Sequence, residues 1–144
     1  MAAAISYIGA VIAVSVATPA TVDASGFNAL TYTTVGKIAS FGSVGDSSAD
    51  ISIELLDGRT EHVNGVKDGG VIPFTVRSDT DAGQTLLVNN SNNNVDLSFK
   101  ITDVDGKIAY FYGKIANVKD NERAPGSYKG LSGEIRVNSA TVRV

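Results

Sequence analysis

Val95-Asp96-Leu97-Ser98-Phe99-Lys100-Ile101-Thr102 alternates apolar with polar side chains, and Asp103-Val104-Asp105-Gly106 separates it from the aromatic-rich run Lys107-Ile108-Ala109-Tyr110-Phe111-Tyr112-Gly113-Lys114-Ile115-Ala116-Asn117-Val118. Successive side chains of a strand point to opposite faces, so this alternation predicts a half-buried antiparallel strand with Val95, Leu97, Phe99 and Ile101 inward. An Asp-Gly pair between two such runs is a strong hairpin signal. The pattern recurs at 71–77 and at 51–55, where Ile51, Ile53 and Leu55 alternate with Ser52 and Glu54, and a last long strand is expected over 129–144 after the loop 120–127. Residues 5–16 are rich in β-branched side chains and read as a buried strand.

Two segments break the pattern. Asp79-Thr80-Asp81-Ala82-Gly83-Gln84 leads into Thr85-Leu86-Leu87-Val88, and the Asn-rich run 89–94 follows. Asp81 with Gln84 three residues on fits an N-cap with its reciprocal partner, and acids near a helix start suit the dipole. One short helix over about 81–90 is expected. Residues 42–70 are punctuated by Gly42, Gly45, Gly58, Gly65, Gly69 and Gly70 and read as a long loop excursion, of the kind that carries function or mobility. The fold class that follows is mainly β: one domain over 1–144, an antiparallel β-sandwich or partial barrel with one short flanking helix.

Composition narrows function by exclusion. The chain has 144 residues, no cysteine, no tryptophan, one histidine and a formal net charge of −3. Without cysteine there are no disulfides, thiolate metal sites or cysteine nucleophiles. A net acidic chain lacks the clustered basic surface that holds nucleic acid by its phosphates. The charge is uneven: residues 1–40 sum to zero, 41–81 to −5 and 82–144 to +2, so an acidic middle and a mildly basic end are complementary between copies. The apolar run 2–17 resembles the core of a secretory signal but lacks its basic start, and the strand reading with no export is preferred.

Chemistry-bearing motifs are sparse. His62 stands alone between Glu61 and Val63 and reads as a surface residue. Gly36-Lys37 and Gly113-Lys114 are each followed by Ile, so neither completes a phosphate loop. Asp103-Val104-Asp105-Gly106 begins like a calcium loop but has no closing acid, and Asn89-Asn90-Ser91 is a formal glycosylation sequon. No catalytic residue, cofactor site or metal site is expected, and the chain does not read as an enzyme.

Several stretches together resemble a known family. They are Ala17-Thr18-Pro19-Ala20-Thr21-Val22-Asp23-Ala24-Ser25-Gly26-Phe27, then Leu30-Thr31-Tyr32-Thr33-Thr34-Val35-Gly36-Lys37-Ile38 and Phe41-Gly42. Lys67-Asp68-Gly69-Gly70, Asp81-Ala82-Gly83-Gln84, Tyr110-Phe111-Tyr112-Gly113 and Gly133-Glu134-Ile135-Arg136-Val137 follow in order. The arrangement resembles the tail tube (major tail) proteins of long-tailed bacteriophages of the siphovirus type, and gene-transfer-agent-like tails. The loop 121–127 departs from the pattern.

The resemblance implies a virion tail protein, assembled in the bacterial host cytoplasm, whose copies form hexameric rings. These stack head-to-tail into a tube that conducts double-stranded DNA during ejection. It also implies tape-measure, tail-terminator and distal tail proteins as partners, no membrane partner and no cofactor. Ring-to-ring contacts are then expected from Gly42, Ser43, Val44, Gly45, Asp46, Arg59, Lys67 and Asp68 in the 42–70 region. The N-terminal arm, residues 1–26, would contact neighbours through Ile5, Tyr7, Ile8 and Pro19. A domain of this size has a radius of gyration of roughly 15 Å, so a pore needs a ring. Six copies giving four tilted strands each would close a sheet roughly 50 Å across, wide enough for a duplex. The bore is expected to be neutral to acidic, with Lys114, Lys119 and Lys129 kept off it. Two other readings stand beside this one: a secreted β-sandwich adhesin or carbohydrate-binding module, and an inner-tube protein of a contractile secretion system.

Overall fold

The computed structural model describes residues 4–78 and 80–144. Its elements run β1 (Val11–Ser15), α1 (Ala24–Asn28), β2 (Thr33–Val35), β3 (Ile38–Phe41), β4 (Ser47–Glu54), β5 (Thr60–Asp68), β6 (Val71–Arg77), α2 (Ala82–Asn89), β7 (Leu97–Thr102), β8 (Ile108–Asp120), β9 (Gly130–Val137) and β10 (Val142–Arg143). Eight strands form one antiparallel sheet in the order β2-β1-β7-β8-β9-β6-β3, with β10 also on β8, while β4 and β5 pair only with each other.

The two ends of that order are consecutive in sequence. Seven strands laid flat would put β2 and β3 about 29 Å apart, yet only Gly36 and Lys37 connect Val35 to Ile38. Three Cα steps span at most about 11 Å. The sheet therefore curls until its edges nearly meet, which makes it a partial barrel. Lys37 accommodates the join with a left-handed φ of 60°, and its carbonyl accepts the Arg77 amide at 2.8 Å.

The inside of the curl is the core. Ile12 and Val14 of β1, Val35 of β2, Ile72, Phe74 and Val76 of β6, Leu97, Phe99 and Ile101 of β7, Phe111 and Ile115 of β8 and Ile135 of β9 are all buried, with Leu87 of α2 closing the open side. Phe99 and Phe111 face each other across the β7–β8 register and stack at 5.2 Å between centroids. A void of only about 10 Å³ is left among these side chains, about what a single water needs.

A smaller cluster covers part of the outer face. Phe27 of α1 stacks on Tyr110 at 5.4 Å, Tyr32 lies 6.3 Å from the same ring, and the Lys100 ammonium sits 5.9 Å over Tyr32. The Tyr32 hydroxyl donates to the Phe27 carbonyl at 2.9 Å. Burial, with Tyr110 nearby adding to it, pushes the Tyr32 phenol up to about 12.

The Asp105-Gly106 turn forms as expected, Gly106 taking φ +85°, and Leu97, Phe99 and Ile101 point inward. Val95, however, is exposed, and β7 is covered on both faces, Ser98 being buried with its hydroxyl donating to the Ala17 carbonyl. Other boundaries shift for identifiable reasons. The strand expected over 5–16 is confined to β1, because the Ala10 amide turns back to the Tyr7 carbonyl and Gly9 takes φ +98°. Residues 1–3 of the arm lie outside the described residues. β7 starts at Leu97 because Asp96 is drawn to Lys114 and Asn138. The long last strand divides into β9 and β10, since the Ser139 hydroxyl takes the Tyr112 amide at 2.9 Å and interrupts the ladder.

The predicted helix is α2, with the Asp81 carboxylate accepting the Gln84 amide at 3.1 Å. Its first turn carries no acid, and Asp79 lies outside the described residues. A second helix, α1, adds to it; Asp23 caps it by accepting the Gly26 amide at 2.7 Å. The Gly-rich excursion is largely paired, as the β4–β5 hairpin.

Candidate assembly surface

The β4–β5 hairpin stands off the barrel. Every residue of β4 is exposed, and so is every residue of β5 except Gly65. Register puts Ile51 opposite Val63, Ser52 opposite His62 and Asp50 opposite Asn64. One face therefore carries Ile51, Ile53 and Val63, with Glu61 opposite Ile53, and the other is polar throughout (Asp50, Ser52, Glu54, Thr60, His62, Asn64). Ile51 and Val63 are each 50% exposed. An isolated two-stranded ribbon is marginal in water, and among the described residues nothing covers Ile51, Ile53 and Val63 of this one.

Its two ends are held differently. At the root, the Gly42 amide donates to the Pro73 carbonyl at 2.8 Å, Arg143 Nη2 donates to the Val44 carbonyl at 3.2 Å, and the Gly70 amide donates to Asp68 Oδ1 at 2.9 Å. Val44 packs against the barrel core. At the tip, the Leu55 amide donates to the Arg59 carbonyl at 2.9 Å, the Gly58 amide to the Leu55 carbonyl at 3.1 Å and the Arg59 amide to Asp57 Oδ1 at 2.9 Å.

Of the expected contact residues, Gly42, Ser43, Val44, Gly45, Asp46, Lys67 and Asp68 thus gather at the root, and Arg59 lies at the tip. Eight residues of β4 separate the two, a span of about 27 Å. In the arm, Ile5, Tyr7 and Ile8 are exposed at 64%, 80% and 86%, while Pro19 is half-buried beyond the other end of β1.

The polar face brings a serine, a histidine and an aspartate together, and their geometry excludes a nucleophile–base relay. His62 Nδ1 lies 3.0 and 3.1 Å from the two Asp50 oxygens and 3.3 Å from Ser52 Oγ, while Ser52 Oγ is 3.1 Å from Asp50 Oδ2. A relay needs the serine on one ring nitrogen and the carboxylate on the other. Here both meet Nδ1, on an exposed ribbon with no pocket around it. The group is a cross-strand tie. Among the described residues no cluster of three or more metal-ligating side chains occurs, and no helix is long and apolar enough to cross a membrane.

A second surface feature lies in the 120–130 loop between β8 and β9, a groove of about 440 Å³ whose lining includes Glu122, Arg123, Ala124, Tyr128 and Lys129. The Ser127 hydroxyl donates to the Glu122 carbonyl at 2.7 Å and the Ser127 amide to the Ala124 carbonyl at 3.0 Å, so its wall is preformed. Arg123 pairs with Asp120 at 2.9 Å. Sequence reasoning passed over this loop and over Leu56, which is wholly exposed at the hairpin tip. A leucine pair running into Asp57-Gly58 was the available signal, since turns seldom present a large apolar side chain.

No family model and no curated protein matches the chain. Its fold does match a solved structure: a chain of an extracellular contractile injection system, the PVC sheath/tube terminator in the extended state, seen by cryo-EM. The TM-score is 0.69 at 9% identity, over 99% of this chain and 98% of that one. At that identity the likeness establishes a shared fold from end to end.

Proposed function

We propose that this chain is a non-enzymatic structural subunit of a phage-type tail. Six copies form a ring, rings stack head-to-tail into a tube, and the genome passes through the bore into the host. The carrying observation is the hairpin: a marginal ribbon held out from the barrel with an uncovered apolar face, which makes sense when a neighbouring copy covers it. Head-to-tail contact joins unlike surfaces and yields an open filament. The exposed Ile5, Tyr7 and Ile8 supply further apolar area for such contacts. Tape-measure, tail-terminator and distal tail proteins are the other partners on this reading, and the virion tail is its place.

The fold likeness to an injection-system terminator favours a second reading, a tube or terminator component of a contractile system. Negative-stain microscopy of the purified chain tests both. Stacked six-fold tubes support the tail tube, single rings that do not stack support a terminator, and a monodisperse monomer at every concentration overturns both.

A further inference from the structure

We infer that the hairpin tip of one copy seats in the 120–130 groove of the next, with Leu56 against Tyr128 and Ala124, Asp57 against Lys129 and Arg59 against Glu122. This rests on the self-assembly reading and names the surface that receives the hairpin.

Placement comes first. Arg143 pairs with Ala109 near the start of β8 and also holds the hairpin root through Val44, whereas the groove begins at Asp120, where β8 ends. The root also adjoins Val71 at the start of β6, whose last residue, Arg77, pairs with Gly130 of the groove, so root and groove lie toward opposite ends of the sheet. That is the arrangement a head-to-tail contact between identical copies requires, because each copy offers one surface and accepts the other.

The tip is also built to dock. Its three internal hydrogen bonds fix the turn, so little ordering cost is left for binding. Leu56 points wholly into solvent. The groove, with its preformed wall, falls within the size range of ordinary binding pockets.

Charge then sets the pairing. Lys129 and Glu122 carry no ion pair among the described residues, nor do Asp57 and Arg59. Docking matches the two sets with opposite signs, and the acidic hairpin meets the mildly basic C-terminal part of its neighbour.

The chain has no cysteine, so a disulfide reports only an engineered pair. Carrying Leu56→Cys with Tyr128→Cys under oxidising conditions, assembled protein should give a ladder of linked multimers on non-reducing gels, and each single variant should not. Assemblies without the ladder, or bridges confined within one chain, overturn the docking and leave self-assembly standing. A chain that stays monomeric throughout overturns both. As an independent check, Asp57→Lys should raise the critical concentration for assembly about tenfold, and adding Lys129→Asp should restore it; failure to restore overturns the pairing.

Discussion

Gln84 Nε2 donates to the Gly36 carbonyl at 2.8 Å across 48 residues of sequence, and also to the Arg77 carbonyl at 2.9 Å. Gly36 belongs to the two-residue join between β2 and β3, and its own amide donates to Asp81 Oδ2 at 3.0 Å. The first turn of α2 is thus the clamp that holds the two edges of the curled sheet together. Gln84→Ala removes both bonds from a part-buried seam, at a cost of about 2 kcal/mol. Thermal unfolding should drop by about 4–8 °C for a domain of this size. Thr85→Ala removes only an exposed bond to the Asp81 carbonyl and should shift the midpoint by less than about 2 °C.

Gly83→Ala should destabilise the protein, although alanine is the better helix former by about 1 kcal/mol. A Cβ on Gly83 would collide with the Thr34 carbonyl and crowd Val35 Cα at 2.7 Å, and backbone cannot move aside as a side-chain tip can. The helix must lift from β2, taking Leu87 out of the core. Denaturant titration should show a loss of several kcal/mol, about 3 or more; an unchanged or raised midpoint would contradict the close packing.

The alternation around Phe99 was legible because period two is written directly in the side chains and both partners, β7 and β8, are local. The barrel closure was not. β2 is three residues of Thr-Thr-Val, too short to show a period, and its meaning lies in contacts with Gln84 nearly fifty residues away. α1 was missed because five residues carry no helical stripe. In the hairpin the Ile51 and Ile53 alternation is plain in the sequence, but burial does not follow from it, since among the described residues no element covers that face. The glycines pointed to one loop excursion over 42–70, whereas most of it pairs as β4 and β5. Nothing local linked Leu56 with Tyr128.

Replacing residues 48–67 by a two-residue Asn-Gly turn should leave a folded monomer. Ser47 and Asp68 are cross-strand neighbours, so a tight turn spans the gap, and the core uses no residue of the ribbon. Shortening a connection lowers its closure cost rather than raising it. Circular dichroism and thermal unfolding should stay near those of the full chain, while sedimentation shows no rings. The same outcome is expected on removing 43–48, with some loss of stability because Val44 packs on the core. Normal tubes from either deletion would refute an assembly role for this region.

Asp96 is the clearest source of acid sensitivity. Burial works to raise its carboxyl, but hydrogen bonds from Lys114 at 2.8 Å and Asn138 at 3.0 Å, with the Lys114 charge, outweigh burial and hold it below the ordinary aspartate range. A carboxyl lowered in the folded state binds fewer protons than in the unfolded chain. Its contribution is complete above the unfolded value of about 3.9 and fades as pH falls through the lower folded one. Asp96→Asn should therefore cost about 0.5–1 kcal/mol at pH 7 and flatten the stability profile below about pH 4. A difference that persists unchanged at the acid end would mean the pair contributes by packing alone.

On the proposed tube reading, the bore should not retain DNA. Each cation engaged on phosphate adds a counterion-release term to binding and steepens its salt dependence, which would stall a passing duplex. Several cations are already committed within the chain: Lys114 to Asp96 at 2.8 Å, Arg123 to Asp120 at 2.9 Å and Arg136 near Glu134 at 3.7 Å. Lys129 is engaged between copies if the tip docks as inferred. Fluorescence anisotropy of a labelled 20-base-pair duplex with assembled rings at about 50 mM salt, where phosphate contacts are strongest, should give no saturable binding. Reversing Asp96 and Glu134 to lysine frees and adds positive charge on the outer sheet face. If that face lines the bore, salt-sensitive binding should then emerge. Tight binding by the unaltered rings, falling steeply between 50 and 200 mM salt, would instead mark a basic bore and contradict passive conduction.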